Sequence, residues 1–212
     1  MSKETKIISG VGILFFALFA FLIYRTSTGS LVIADPNLLI GQLSHMTGNK
    51  EAKVNVVEFG DYQCPACGYA APIVKQLIEA YKTNPNVNFV FRNFPLPQHS
   101  NAMVAAEAAE AAGAQGKFWE MHEIIYSGQN DWSGSPNATE IFAGYAQKLG
   151  LDVKMFTDAV NQQKFQDVIF KDRSDGQALG INSTPTFFVN GEKMNGILSF
   201  EEFKKLIDSK LQ

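Results

Sequence analysis

Cys64-Pro65-Ala66-Cys67 contains the only two cysteines of the chain, at a point where a strand-like pattern gives way to a helical one. Two thiols separated by two residues can close a disulfide across the first turn of a helix, and the unsatisfied amides at the helix's open end stabilise a thiolate on the leading cysteine. The pair therefore reads as a redox-active dithiol that works without a separate cofactor. The alternatives are weaker on physical grounds. Stabilisation by a disulfide grows with the loop it closes, and this loop is minimal. A zinc site needs two further ligands, yet His45, His99 and His122 lack the paired spacing that completes one. No metal is assigned.

Other residues gain meaning from their position relative to this pair. Glu58 shares a strand face with Val54 and Val56; a carboxylate on a covered face is costly to ionise, so its pKa should be raised. Pro72 falls within the helix after the cysteines, where a proline costs about 3 kcal/mol and bends the axis. Ile73, Leu77 and Tyr81 keep helical spacing beyond it. Thr184-Pro185 precedes a strand and, taken alone, reads as an ordinary trans turn. His99 and His122 read as structural histidines. Phe118, Trp119, Met121 and Ile125 read as a core stripe. Tyr62, Leu96 and Phe188 are candidates for lining a peptide groove.

The elements that must position these residues follow from periodicity. Val54 to Phe59 is apolar on both faces, as in a central strand covered on both sides. Gly60-Asp61-Tyr62-Gln63 interrupts it, and Pro65 stands near the first helical position, where a missing amide is harmless. This helix should end before Asn84-Pro85-Asn86. Val87 to Phe94 predicts a second strand, stopped by Pro95-Leu96-Pro97. Helices are predicted over Ala102–Ala112, Lys117–Tyr126 and Asn137–Leu149. A short segment capped by Asp152 and a helix over Phe165–Leu179 follow. Thr186–Val189 predicts a strand, Asn190-Gly191 a hairpin turn and Lys193–Leu198 a return strand. Ser199 and Glu202 form a capping box for a last helix through Leu211.

The amino terminus differs in kind. Ile7 to Tyr24 carries no charge and meets the roughly 17 to 25 residues that a helix needs to cross a bilayer. Lys3 and Lys6 precede it and favour a cytoplasmic start with an exported remainder, a bias that Arg25 weakens. The segment has no obvious small-x-small cleavage site, so a retained anchor over 1–25 is preferred to a cleaved signal peptide. No cysteine follows it to accept a lipid. A tether and extension over 26–52 lead into one domain over 53–212. The net charge of −3 and the lack of basic clusters with interleaved aromatics speak against nucleic-acid binding.

The order strand, helix, strand, helical block, strand, strand, helix resembles an α/β thioredoxin fold with a helical insertion at about 98–180. With Val56 to Cys67, Asn93-Phe94-Pro95-Leu96, Phe118-Trp119-Glu120-Met121-His122 and Thr184-Pro185-Thr186, the chain resembles the DsbA family of thiol-disulfide oxidoreductases, in its membrane-anchored bacterial branch. The resemblance implies Cys64 as nucleophile, Cys67 as its resolving partner and Glu58 as a proton relay for Cys67. It implies Pro65 and Ala66 as the active-site loop, with a cis peptide before Pro185. Thr184, with Tyr62, would bind an extended substrate. It further implies an extracytoplasmic enzyme that introduces disulfides into exported polypeptides with free cysteines, reoxidised by a quinone-linked membrane partner of DsbB or VKOR type; the lack of a recognisable dimerisation segment favours a monomer. A reductase or isomerase on the same sulfurs, or a chaperone-like binding module, are the alternatives. One departure bears on direction: the oxidising type member has a histidine directly before its second cysteine, and this chain has Ala66.

Overall fold

A computed structural model describes residues 34–212. The expected membrane segment at 7–24, within the anchor at 1–25, lies outside the described residues, as does part of the 26–52 extension. Among the described residues no helix is long and apolar enough to cross a membrane.

The sheet is built around β2 (Val54–Gly60). It runs parallel to β3 (Val87–Asn93), with Val54 opposite Val87, and antiparallel to β4 (Thr186–Val189), with Phe59 opposite Thr186. The short strands β1 (His45–Met46) and β5 (Glu192–Lys193) complete the order β1-β3-β2-β4-β5. Because β2 and β3 are covered on both faces, they are buried almost throughout rather than alternating between core and solvent. Val54 and Val56 face α2 (Pro65–Tyr81) and α9 (Phe200–Leu211), while Val57 and Phe59 pack with Val90, Phe94 and Phe188 on the other side.

Helix α2 buries Ala70, Val74, Leu77 and Tyr81, the recurrence that seats one stripe of a helix on a sheet. Ile73, expected in that stripe, is only partly buried. Pro72 sits inside the helix and does not end it. Between β3 and β4 lie α3 (Ala102–Gly113), α4 (Phe118–Ser127), α5 (Gln129–Trp132), α6 (Ala138–Lys148), α7 (Val153–Asn161) and α8 (Gln166–Ala178). The alanines of α3 are buried almost throughout, and their small side chains let neighbouring helices approach closely. Asp152 caps α7 by accepting from the Met155 amide, and Ser199 with Glu202 forms the capping box of α9.

Arg92 on β3 is fully buried and ties the helical block to the sheet. It pairs with Asp172 at 2.6 Å and Asp175 at 2.7 Å, both on α8. The same guanidinium donates to the Leu38 and Leu39 carbonyls at the end of α1 (Pro36–Leu39).

Two differences from the sequence reading have local causes. The return strand expected over Lys193–Leu198 is reduced to Glu192–Lys193, because Gly196 at φ +76° turns the chain away. The hairpin itself forms, with Asn190 and Gly191 at φ 49° and 83°, as a two-residue turn of primed type requires. The elements α1, β1 and α5 were not anticipated, being two to four residues long and without periodicity.

Candidate active site

Cys64 is the N-cap of α2, with extended backbone, and Pro65 is the first helical residue. The chain reaches this position through the end of β2 and a turn in which the Cys64 amide donates to the Asp61 carbonyl at 3.1 Å. Both cysteines are free thiols. Cys64 is 8% exposed and Cys67 is fully covered. The Cys64 thiol donates to the Thr184 carbonyl at 3.4 Å, across the Thr184-Pro185 peptide, which is cis.

The two thiols are electrostatically opposite. The Cys67 thiol, then Thr184, whose buried hydroxyl is otherwise unpartnered, and the amides of Cys67 and Ala66 stabilise a Cys64 thiolate against the opposing effect of burial. They lower its pKa from 9.0 to about 5. Burial raises Cys67 well above the ordinary range, reinforced by its hydrogen bond to Cys64 and by the charges of Glu58 and Cys64. Glu58, on the β2 face toward α2, is 4% exposed, and its Oε1 has no hydrogen-bond partner. Burial first, then the negative charge at Cys64, raises its pKa to about 8. Its protonation is therefore responsive near neutral pH, as a proton acceptor for a buried thiol requires.

Asp61 and Gln129 frame the site and were not singled out from sequence. Asp61, 1% exposed, accepts from the amides of Gln63 and Leu96 and from His99 Nδ1, at 2.7, 2.8 and 2.7 Å. Its own amide donates to Cys67 Sγ at 3.5 Å. An aspartate bonding to an amide two residues on is an ordinary turn motif, and Gly60-Asp61 carried that signal. Gln129 Nε2 donates to the carbonyls of Tyr62 and Cys64 at 2.7 and 3.0 Å from a segment with no local pattern.

The structure brings Cys64, Cys67, Pro65, Ala66, Thr184 and Pro185 together, with Glu58 beneath. It does not bring Tyr62 to a substrate groove. Tyr62 is 1% exposed, and its hydroxyl meets His122 Nδ1 at 3.0 Å within an aromatic cluster. Phe188 is likewise core on the far face of the sheet, and Leu96 is half-buried. Both aromatics face inward because strand and turn geometry direct them to the two covered faces. His122 is buried in that cluster, and burial and then His45 lower its pKa to about 3, leaving it neutral. His99, assigned no chemical role, stands beside Asp61. Among the described residues no group of three or more His, Cys, Asp or Glu side chains is arranged to hold a metal.

Such an arrangement is suited to thiol-disulfide exchange: a stabilised thiolate that keeps a small exposed area, a fully buried second thiol, and a carboxyl able to take its proton. Residues 42–209 match the family described as Thioredoxin. The fold is shared with BdbD from Bacillus subtilis in its oxidised form (TM-score 0.74, 24% identity, 86% of this chain and 99% of that one). It is shared too with α-DsbA1 from Wolbachia pipientis (TM-score 0.71, 22% identity, 81% of this chain and 92% of that one). A sodium/proton antiporter, NhaA 1 of Salinispora arenicola, is 38% identical over 166 residues, which are 78% of this chain. The chain spans about a quarter, 24%, of the length of that relative. The family match takes in every strand of the sheet as well as the cysteine pair, and the chain belongs to the thioredoxin family.

Proposed function

We propose that this protein is an extracytoplasmic thiol-disulfide oxidoreductase that introduces disulfides into exported polypeptides, held at the membrane by the apolar segment at 7–24. The observation that carries this reading is the asymmetry of the dithiol. Cys64 sits at the open end of α2 against the Thr184 carbonyl, and Cys67 is closed off above Glu58.

In the oxidised enzyme a substrate thiolate attacks Cys64 Sγ, and the Cys64–Cys67 bond breaks. Cys67 leaves with the electron pair and takes a proton from Glu58. A second substrate thiolate then attacks the substrate sulfur of the mixed disulfide, and Cys64 departs as the thiolate that the helix terminus stabilises. Two electrons pass from two substrate thiols to the Cys64–Cys67 pair. A quinone-linked membrane partner of DsbB or VKOR type returns the pair to the disulfide. The backbone of Thr184, beside Cys64, is the edge on which an extended substrate segment would pair.

Ala66 supports a second reading. It offers the Cys64 thiolate a backbone amide but no side-chain donor or positive charge, which favours a less oxidising pair working as a reductase or isomerase. The reduction potential of the full-length chain, equilibrated with glutathione buffers and read by thiol trapping, separates the two. A value of about −120 to −180 mV supports disulfide introduction, and one near about −270 mV overturns it in favour of reduction. A chaperone-like binding module would keep its activity in Cys64→Ser, whereas either redox function would be abolished.

A further inference from the structure

The exchange steps leave unused a cleft between α2 and α4 and the buried polar atoms behind it. Gly68, Ala71 and Pro72 from α2 and Trp119, His122 and Tyr126 from α4 help to line a cleft of about 460 Å³. Tyr126 is 5% exposed, and its ring lies 4.8 Å from that of Tyr62 and 5.0 Å from that of His122. Its hydroxyl is buried and makes no hydrogen bond to the protein. That oxygen comes up against β2 at Gly60, where an added Cβ would stand 3.0 Å from it.

Gly60 and Glu58 project to the same face of β2, and Glu58 Oε1 is a second buried oxygen without a partner. The next residue, Asp61, gives its amide to Cys67 Sγ. Hydroxyl, carboxyl and resolving thiol therefore converge at the end of one strand. The titratable groups facing Tyr126 are Glu58 from β2, Asp61 and Tyr62 from the turn, Cys67 from α2 and His122 from its own helix, while β3 presents Phe91. Burial, then the charges of Cys67 and Glu58, raise the Tyr126 phenol well above its usual range, so it remains a neutral donor. An unpartnered buried hydroxyl is unfavourable, and phenylalanine would fill the same space without that penalty.

We propose that Tyr126 is a positioning residue of the proton relay: its hydroxyl donates to the Glu58 carboxylate across one bridging water, and links Glu58 to the cleft between α2 and α4. This rests on the thiol-exchange reading of Cys64 and Cys67. During reoxidation the Cys64 thiolate attacks the partner's disulfide, forming a mixed disulfide and releasing one partner thiolate. Cys67 passes its proton to Glu58, attacks Cys64 Sγ, forms the internal S–S bond and expels the second partner sulfur as a thiolate. Glu58 then loses the proton past Tyr126 toward the cleft. Without the hydroxyl the charged form of Glu58 loses a donor, its pKa rises further, and less base is present at neutral pH.

The test uses the reduced full-length chain and oxidised glutathione, with acid quenching and mass spectrometry resolving the Cys64–glutathione intermediate from the closed disulfide. The closure rate is followed from about pH 6 to about pH 10. Tyr126→Phe is expected to slow closure about tenfold at neutral pH and to converge with the unaltered chain at high pH, a displacement of about one pH unit. In a Glu58→Gln background the same substitution should change nothing further. An unchanged pH profile overturns the proposal. Equal slowing in the Glu58→Gln background also overturns it, because Tyr126 would then act through packing alone. If the unaltered chain forms no internal disulfide with glutathione, the exchange reading itself fails and the relay fails with it.

Discussion

At the scale of single residues, the site works by holding two identical side chains in unlike environments. Cys64 receives the Cys67 thiol, Thr184 and two amides of the first helical turn, whereas Cys67 is fully buried above a carboxyl that burial keeps protonated up to about pH 8. The Cys64 thiol binds its proton more weakly in the fold than in the unfolded chain. Its contribution to the stability of the reduced protein is therefore complete above about pH 9 and is lost as pH falls through about 5. Alkylation of the reduced protein by iodoacetamide should accordingly rise with a midpoint near pH 5 and be confined to Cys64. A midpoint in the ordinary thiol range, about 8.5, would refute the stabilised thiolate. The cysteine spacing and the apolar strand around Glu58 were legible in the sequence. The inward orientation of Tyr62 was not, because its hydroxyl partner, His122, is sixty residues away.

At the scale of elements, the end of β2, the first turn of α2 and the turn before β4 form the working surface. The helix start supplies amides and a partial positive charge, and Pro65 loses no hydrogen bond at the first helical position. Ala66 occupies that turn with a methyl group, so the backbone alone stabilises the thiolate from this position. Replacing it by histidine adds a donor and a positive charge beside Cys64, and should make the pair more oxidising. A tenfold gain in the thiolate-favouring equilibrium corresponds to about 30 mV, measured against glutathione. An unchanged or lower potential would show that the side chain at this position does not reach the sulfur. Most long elements were readable from period and caps, as with α2, α3, α7 and α9. The short ones that seal the edges, α1, β1 and α5, carry too few residues to show a period.

At the scale of the whole molecule, the helical block is fastened to the sheet by a buried charge network. Arg92 on β3 meets Asp172 and Asp175 on α8 and the carbonyls ending α1. Asn93 donates to Glu110 on α3 at 2.7 Å, and Glu110 in turn meets His45 on β1 at 2.8 Å. Burial raises Asp172 to about 6 even with Arg92 drawing it down, so the pair is held against a substantial desolvation penalty. Removing one partner leaves the other charge uncompensated: Arg92→Ala should destabilise the fold by about 3–5 kcal/mol, measured by urea unfolding. A loss below about 1 kcal/mol would mean that the network behaves as exposed ion pairs do. Nothing in the local sequence marks Arg92 as buried, since a lone arginine in a strand is ordinarily exposed.

The sequence by itself determined the reactive pair, the strand and helix that hold it, the hairpin at Asn190-Gly191 and the order of the main elements. Each of these depends on propensities, periods and caps acting within a few residues. Tertiary structure alone decided how the pair is tuned. The Thr184 carbonyl reaches Cys64 from 120 residues away, Gln129 braces the turn from another helix, and Asp61 binds His99 across the loop after β3. Desolvation and long-range partners set a pKa, and both exist only once the sheet and the helical block have closed around the side chains.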